Sequence, residues 1–295
     1  MTWTQPESKP QPIWYAVVKL LRWDKPEGRL ILMIPALWAV FLAAQGTPPP
    51  VLVGVIVAGA LATSAAGCVV NDLWDRNIDP HVERTCHRPL AAKTLTIQVG
   101  LVVALVAFAC AFALSLYLNP LSFWLCVAAV PVIVIYPLAK RVFPVPQLLL
   151  SIAWGFGVLI SWSAVVAQLE LATWILWGAT LLWTLGFDTV YAMPDREDDR
   201  RLQIHSSALF FGHYATAAIA IFFAGTVFLL AWLGIVMQLH ISFWLALTGS
   251  TYLWIRQYFR LREPHLPHSS YGHLFRQNVW IGFLLLAGMI AGCLL

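Results

Sequence analysis

The stretch Asn71-Asp72-Leu73-Trp74-Asp75-Arg76-Asn77-Ile78-Asp79 follows directly on an apolar run, Val51 to Val70, that is long enough to cross a membrane. Carboxylates at the end of such a run are costly unless they find a partner, a cavity or an ion. If the helix of the run continues at about 100° per residue, its polar groups share one face. These groups are Asn71, Asp72, Asp75 and Asp79. Because carboxylates on one face repel each other, the pattern favours the binding of cations.

A second apolar run also ends in acidic residues. Trp174 to Ala192 is apolar except for Asp188, and the segment Met193-Pro194-Asp195-Arg196-Glu197-Asp198-Asp199-Arg200-Arg201 follows. On a continuous helix one face would carry Asp188, Tyr191, Asp195 and Asp199. Pro194 removes a backbone hydrogen bond and favours a kink at this point. Most of the 14 acidic residues lie in these two stretches, so we expect the fold to bring them face to face.

The composition is that of an integral membrane protein. The chain has 295 residues, of which 60% are hydrophobic and 11% charged, and its mean hydropathy is +0.76. Soluble domains contain about 25% charged residues, so a water-soluble fold is excluded. The five cysteines have no paired spacing and are interpreted as buried apolar residues. The polar start, Met1 to Gln11, does not resemble a cleaved signal peptide.

The hydropathy pattern predicts an all-α protein with about nine transmembrane helices. The expected spans are Leu30–Gln45, Val51–Val70, Ile97–Leu118, Ser122–Leu138, Leu148–Leu169, Ala172–Ala192, Ser207–Leu233, Ile241–Tyr258 and Val279–Leu295. Ile13 to Lys25 mixes aromatic, aliphatic and basic residues, as an amphipathic helix in the membrane interface does. We therefore divide the chain into an N-terminal tail with this helix, residues 1–28, and a transmembrane domain, residues 29–295.

The distribution of positive charge predicts the orientation. Every Lys and Arg lies before the first span or at the loops after spans two, four, six and eight. By the positive-inside rule, the N-terminus, both acidic stretches and these loops face the cytoplasm of a bacterial inner membrane. The odd number of spans then places the C-terminus on the opposite side.

Acidic stretches and basic loops on one membrane face are typical of a diphosphate site. Divalent cations bridge carboxylate and phosphate oxygens, while guanidinium groups neutralise the remaining charge. A ligand set made of oxygen atoms favours Mg²⁺ over zinc or copper. The candidate phosphate-binding cations are the Lys and Arg residues of the four basic loops, and His205, which follows the second acidic stretch, could also contact a phosphate or could lie at the interface.

Both acidic stretches resemble the signatures of the UbiA superfamily of intramembrane aromatic prenyltransferases. The first is Asn71-Asp72-x-x-Asp75-x-x-x-Asp79, followed by Glu83-Arg84-Thr85-x-x-Arg88-Pro89-Leu90. The second is Asp188-Thr-Val-Tyr191-Ala-Met-Pro-Asp195-Arg-Glu-Asp-Asp199, followed by Ile204-His205-Ser206. The second motif and Tyr136-Pro137-Leu138-x-Lys140-Arg141 are similar to those of 4-hydroxybenzoate polyprenyltransferases. The many tryptophans and His205 favour a divergent, cyanobacterial branch of that subgroup.

The resemblance implies a fold and a reaction. The fold has nine helices around a central cavity with a cytoplasmic cap. The reaction is Mg²⁺-dependent transfer of a long polyprenyl group from polyprenyl diphosphate to 4-hydroxybenzoate in quinone biosynthesis. We expect membrane lipids as surroundings, no nucleic acid and no obligatory protein partner.

The resemblance also implies roles for individual residues. Asn71, Asp75, Asp195 and Asp199 would hold Mg²⁺, while Asp72 and Asp79 would support the metal or orient basic partners. Arg84, Arg88 and Arg201 would contact the diphosphate, and Lys140 or Arg141 would pair with the benzoate carboxylate. The family often has Lys at the position of His205, and a neutral imidazole would contribute less to phosphate binding.

Asp188 and Tyr191 are expected to act on the organic part of the substrates. Asp188 lies about one turn inside the membrane, which marks it as functional, and we assign it to the ring proton or the phenol. Tyr191 is a candidate to stabilise an allylic cation with its ring. Together with Asp75 and Asp195, Asp188 forms the predicted catalytic set.

Two further functions remain open at this point. A UbiA-type enzyme could use another aromatic acceptor, such as homogentisate. A cation-coupled transporter would also place aspartates in a membrane, although its acidic residues would lie near the midplane.

Overall fold

The computed structural model describes residues 12–264 and 266–295, and this part of the chain is helical with no strand. The helices are α1 (Ile13–Leu20), α2 (Glu27–Ala43), α3 (Pro50–Asp75), α4 (Ile97–Ser115), α5 (Pro120–Ile135), α6 (Pro146–Val166), α7 (Leu171–Ala192), α8 (Arg196–Arg201), α9 (Ser207–Phe211), α10 (Ala215–Val236), α11 (Ile241–Leu261) and α12 (His268–Leu294). Short 3₁₀ turns occupy Asp79–His81, Tyr136–Arg141, Met193–Asp195 and Gly212–Tyr214. The polar tail before residue 12 and His265 lie outside the described residues.

Six helical segments in the described residues are long and apolar enough to cross a membrane. They are Pro50–Asp75, Ile97–Ser115, Pro120–Arg141, Pro146–Val166, Ser207–Val236 and His268–Leu294. The protein is therefore an integral membrane protein. Helices α2, α7 and α11 coincide with the other three expected spans. That these three helices also cross the membrane, which would give nine crossings, stays a prediction.

Proline and polar caps fix where the long helices begin. Pro50, Pro120 and Pro146 stand in the first turns of α3, α5 and α6, where a missing N–H is tolerated. The side chain of Asn119 accepts a hydrogen bond from the N–H of Ser122 at 3.0 Å, which caps α5. At α7, the N–H of Glu170 donates to the hydroxyl of Thr173 at 3.0 Å. These caps keep the connections on one side of the bundle short.

The core of the bundle lies where α2, α7 and α12 meet. Trp38 and Trp183 are fully buried with ring centroids 4.8 Å apart, and the indole N–H of Trp38 donates to the carbonyl of Gly282 at 2.9 Å. A Cβ at Gly282 would come within 2.9 Å of Ile34 and Trp183 side-chain atoms. The glycine therefore lets α12 approach α2 closely, as small residues do in membrane helix packing.

Asn278 joins three helices through a buried hydrogen-bond network. Its Oδ1 accepts from the indole N–H of Trp183 at 3.2 Å and from that of Trp254 at 3.0 Å. Its Nδ2 donates to Oε1 of Gln257 at 3.2 Å and to the carbonyl of Leu274 at 3.0 Å. All the polar atoms of the amide are thus satisfied between α7, α11 and α12, which fixes the register of α12.

Two expectations about helix ends were wrong. The helix of the first acidic stretch does not continue to Asp79, because α3 ends at Asp75. Pro80 follows Asp79 and disfavours helical backbone there, so a 3₁₀ turn forms instead. The last helix begins at His268, eleven residues before the expected Val279.

The Asn278 network supplies a stability test. Asn278→Leu should lower the free energy of unfolding by about 2 kcal/mol, because two buried indole N–H groups lose their acceptor. Thermal unfolding in detergent, followed by tryptophan fluorescence, measures the change. Thr248→Ala removes an exposed bond within α11 and should leave the midpoint unchanged. An unchanged midpoint for Asn278→Leu would contradict the account of the network.

Candidate active site

The three aspartates of the first acidic stretch are buried at the end of α3. The relative exposures of Asp72, Asp75 and Asp79 are 1%, 2% and 4%. The chain turns after α3, and the hydroxyl of Thr85 donates to the carbonyl of Asp79 at 3.1 Å, which holds the 3₁₀ turn in place. The turn thus returns Asp79 toward the end of α3 although the helix has stopped.

Each of these carboxylates is paired with a cation from another segment. Asp72 binds Arg22 at 2.7 Å and Arg88 at 3.2 Å. Arg88 also binds Asp79 at 2.9 Å, so its guanidinium bridges α3 and the 3₁₀ turn. The ammonium of Lys140 lies 2.5 Å from Asp75. For Arg88, burial by itself lowers the pKa, but the neighbouring carboxylates of Asp72 and Asp79 outweigh it and raise the pKa.

Arg84 joins the first acidic stretch to the second. Its Nε lies 2.9 and 3.1 Å from the two carboxylate oxygens of Asp195. One terminal nitrogen donates to the hydroxyl of Tyr191 at 2.7 Å, and the guanidinium carbon lies 4.5 Å from the centre of that ring. Burial by itself lowers the pKa of Arg84, but Tyr191 and Asp195 raise it overall, so the group stays charged.

Further hydrogen bonds connect the loops that carry the acidic and basic residues. The N–H of Glu83 donates to Asp198 at 3.2 Å, and Arg201 donates to the carbonyl of His81 at 2.7 Å. Both bonds tie α8 to the loop after α3. The N–H of His205 donates to the carbonyl of Lys140 at 2.7 Å, while Arg141 donates to the carbonyl of Trp74 at 2.6 Å. These bonds connect the 3₁₀ turn Tyr136–Arg141 to both acidic stretches.

Asp199 is the buried acid of α8, with a relative exposure of 8%. Burial raises the pKa of its carboxyl to about 6, while a hydrogen bond from Ser206 and the charges of Lys140 and Arg84 act in the opposite direction. A carboxylate with so little solvent favours the approach of a cation.

A cavity of about 1090 Å³ opens beside these ion pairs and extends into the bundle. Cationic side chains line its polar end, among them Lys19, Arg22, Arg84 and Arg88. Asp188 and Tyr191, one turn apart on α7, also line it. The rest of the wall is mostly apolar and includes Phe112, Leu118, Val127, Trp154 and Ile160. Ligand cavities usually have volumes of about 300–1,000 Å³, so this one is large.

The acidic residues have the right chemistry for Mg²⁺, although their carboxylates are paired with side-chain cations. Asp72 Oδ2 and Asp75 Oδ1 are buried oxygens without a hydrogen-bond partner in the part of the chain that the structure describes. Within residues 12–264 and 266–295, no group of three or more His, Cys, Asp or Glu side chains is close enough to hold a metal ion. A divalent cation would therefore have to compete with Lys140 for Asp75 and with Arg84 for Asp195.

The structure brings some of the predicted residues to the cavity and not others. Asp188, Tyr191, Arg84 and Arg88 line the cavity. The aspartates paired with these two arginines are not among the lining residues; they are Asp72, Asp79 and Asp195. Four other predicted residues are not among those that line it: Lys140, Arg141, Arg201 and His205. The side chain of His205 is exposed, and Asn71 is half-buried at the end of α3.

Sequence reasoning missed two arginines that line the cavity, Arg22 and Arg29. Arg22 was grouped with the interfacial helix, but it reaches Asp72. Arg29 was placed before the first apolar span, but it is buried in the first turn of α2. An arginine at the start of an apolar run, next to Gly28, was the available signal.

Known proteins are similar to this chain both in sequence and in architecture. Residues 32–292 match the UbiA prenyltransferase family. The chain belongs to this family. A 4-hydroxybenzoate solanesyltransferase from Synechocystis sp. is 65% identical over 283 residues, which cover 96% of this chain and 97% of that protein. A 4-hydroxybenzoate octaprenyltransferase from Ralstonia nicotianae is 41% identical and covers 92% of each chain.

Solved UbiA structures share the fold. The apo structure of a UbiA homolog from Aeropyrum pernix K1 has a TM-score of 0.75 at 23% identity and covers 88% of this chain and 96% of its own. A UbiA homolog from Archaeoglobus fulgidus, bound to GPP and Mg²⁺, has a TM-score of 0.70 at 18% identity and covers 92% and 99% of the two chains. The UbiA fold of this chain is therefore confirmed.

The Arg88 bridge supplies a test of the site. Arg88→Met should destabilise the protein by about 3 kcal/mol, because Asp79 is then buried without its only ion-pair partner in the described residues. Asp72 keeps Arg22. Adding Asp79→Asn should restore a large part of the loss, and a double-mutant cycle of unfolding free energies measures it. Strictly additive losses would show that the two residues do not interact.

Proposed function

We propose that this UbiA prenyltransferase transfers an all-trans polyprenyl group from polyprenyl diphosphate to 4-hydroxybenzoate. The bond forms at the ring carbon ortho to the hydroxyl, and diphosphate is released. The observation that carries the proposal is a single cavity in which Arg84 and Arg88 stand at the polar end of a long apolar wall. The 65% identity to a 4-hydroxybenzoate solanesyltransferase supports the choice of acceptor and of a long isoprenoid donor.

The polar end suits the diphosphate of the donor. Guanidinium groups bind phosphate oxygens with two parallel hydrogen bonds, and Arg84 and Arg88 are already held by aspartates and by Tyr191. Charge on the leaving diphosphate would be neutralised at this place, which favours cleavage of the allylic C–O bond. The apolar wall would take the isoprenoid chain and exclude water from the cation that forms.

Mg²⁺ is the cofactor that the donor set favours. Asn71, Asp75, Asp195 and Asp199 would hold it, and Asp72 and Asp79 would keep Arg22 and Arg88 in place. The ion would supply further neutralisation of the diphosphate. Lys140 and Arg84 would then exchange Asp75 and Asp195 for other anionic partners.

Asp188 would act at the acceptor. It lies on α7 one turn before Tyr191 and lines the cavity beside the cluster of Arg84, Tyr191 and Asp195. In this position it would hold the phenol hydroxyl or remove the ring proton after the new bond has formed. The ring of Tyr191, which faces Arg84 in the structure, would stabilise the allylic cation.

We propose the orientation in the membrane from the distribution of charge. The Lys and Arg residues lie before the first expected span or at the loops after spans two, four, six and eight, so these segments and the two acidic stretches would face the cytoplasm of a bacterial inner membrane. The C-terminus would lie on the opposite side. Charged donor and acceptor would then reach the cavity from the cytoplasm.

Product formation tests the proposed function. Purified protein in detergent should prenylate 4-hydroxybenzoate when Mg²⁺ and an all-trans prenyl diphosphate are supplied, with EDTA abolishing the reaction. Asp75→Ala and Asp195→Ala should lower the rate by at least about 100-fold, since each removes a carboxylate from the metal site. Glu263→Ala, at an exposed pair with Arg260, is the matched control and should keep the wild-type rate.

The possible outcomes separate the alternatives. Prenylation of homogentisate but not of 4-hydroxybenzoate would keep the reaction and change the acceptor. An absence of product with every phenol would contradict the proposed function.

Asp188 can be tested separately from diphosphate binding. Asp188→Asn should lower kcat by about 100-fold or more, because a general base is lost, while the affinity for prenyl diphosphate stays the same. Single-turnover kinetics and direct binding of the prenyl diphosphate measure the two quantities. Glu170→Gln makes the same chemical change at the other end of α7 and should have no effect on either quantity. Equal losses of turnover and of diphosphate affinity would contradict the assignment.

A further inference from the structure

Arg29 is a buried cation without an ion-pair partner among residues 12–264 and 266–295. Its relative exposure is 3%, and Nε and both terminal nitrogens are buried without a hydrogen-bond partner. None of the ion pairs in the described part of the chain includes it. A guanidinium cannot become neutral by losing its proton, so its burial without a partner is strongly unfavourable. A position of this kind is expected where an anionic ligand completes the site.

A stacking contact with Trp23 leaves the hydrogen-bond donors of this guanidinium free. The guanidinium carbon lies over the Trp23 ring, 4.4 Å from its centre, so the cation interacts with the face of the indole. The N–H groups of a guanidinium lie in its plane and are not used by such an interaction. Trp23 therefore helps to position the cation, while its three nitrogen atoms are buried without a hydrogen-bond partner in the described part of the chain.

Arg29 is also part of the wall of the cavity. It lines the cavity together with Gly28, Ser64, Gly67 and Cys68, which are small. A Cβ built at Gly28 would meet no atom within 4 Å, so the start of α2 carries no bulky group at that position. The cavity that these residues line, with a volume of about 1090 Å³, has room for an aromatic acid as well as for part of an isoprenoid chain.

The two anions of the proposed reaction can be assigned to different cations. Arg84 and Arg88 lie in the segment that follows the first acidic stretch, and they contact the aspartates of the candidate metal site. Arg29 lies on α2 and stacks on an aromatic ring instead. Lys140 is bound to Asp75, and neither it nor Arg141 lines the cavity, so they are less well placed for the acceptor.

We propose that Arg29 binds the carboxylate of the aromatic acceptor with a two-point hydrogen bond and so makes the enzyme specific for a hydroxybenzoic acid. The inference rests on the proposed function. It adds a residue from α2 to a site otherwise built from the two acidic stretches. It also explains why a charged residue is kept in the first turn of an apolar helix.

Acceptor specificity tests the inference without any mutation. Wild-type protein should prenylate 4-hydroxybenzoate with a kcat/KM at least about 10-fold higher than that for 4-hydroxybenzamide, which has the same shape and no charge. Equal values for acid and amide would overturn the role of Arg29. If the wild-type protein prenylates other phenols but neither of these two, the proposed function fails as well.

Substitution of Arg29 tests whether this residue is the source of the preference for the acid. Arg29→Gln should raise the KM for 4-hydroxybenzoate about 10- to 100-fold and remove the preference for acid over amide. The KM for the prenyl diphosphate should stay within about a factor of two of the wild-type value, as a residue outside the diphosphate site requires. Arg29→Lys keeps the charge but not the planar fork, so an intermediate KM for the acid is expected.

The matched control is Arg260→Gln, which removes an exposed arginine paired with Glu263 and should change neither KM. A rise in the KM for prenyl diphosphate alone would assign Arg29 to the diphosphate and overturn the inference. Unchanged constants in Arg29→Gln would overturn it too, because the cation would then have a structural role only.

Discussion

The ion pairs between aspartates at the ends of apolar helices and cations from distant segments are the interactions on which the site depends. Asp72 and Asp75 are buried near the end of α3, and the partly buried Asp195 lies in the 3₁₀ turn after α7. An unpaired carboxylate is strongly disfavoured at such places. Their partners come from the turn after α1, from the loop after α3 and from the 3₁₀ turn before α6. The need to pair these charges therefore draws separate parts of the chain to one end of the bundle.

The same ion pairs prepare the site for a diphosphate. Arg84 is held by two oxygens of Asp195 and by both the hydroxyl and the ring of Tyr191. The hydroxyl and the ring of Tyr191 would keep this guanidinium in place when Asp195 binds the metal, so the group would lose little conformational entropy when a phosphate binds. The apolar cavity begins directly beside it, so one molecule with an anionic head and a hydrocarbon chain can occupy both regions. UbiA prenyltransferases are named for the transfer of such chains.

Much of this arrangement could be predicted from the sequence, because membrane proteins have few charged residues and each position is informative. The two acidic stretches and Asp188 were predicted to be functional because they interrupt or end apolar runs, and the structure places Asp188 at the cavity. The end of α3 was misplaced because the helical spacing of the aspartates was given more weight than Pro80. The start of α12 was missed although Tyr271, Leu274, Phe275 and Asn278 follow a helical period, because polar residues dominate its first turns.

The pairing of charges could not be predicted in the same way. Nothing in the spacing indicates that Lys140 binds Asp75 or that Arg22 binds Asp72, since these contacts depend on how separate helices pack. The role of Arg29 likewise depends on what surrounds it. A buried guanidinium is recognised as unusual only when the absence of a partner among the described residues is known.

The central claim is that the two acidic stretches act as one metal and diphosphate site. Calorimetric binding of a prenyl diphosphate, with and without Mg²⁺, to wild type, Asp75→Asn, Asp195→Asn and the double variant tests it most directly. The account predicts that Mg²⁺ tightens binding to the wild type, that each single variant loses this effect, and that the double variant loses no more. A single variant that keeps the full effect of Mg²⁺, or losses that simply add, would contradict it.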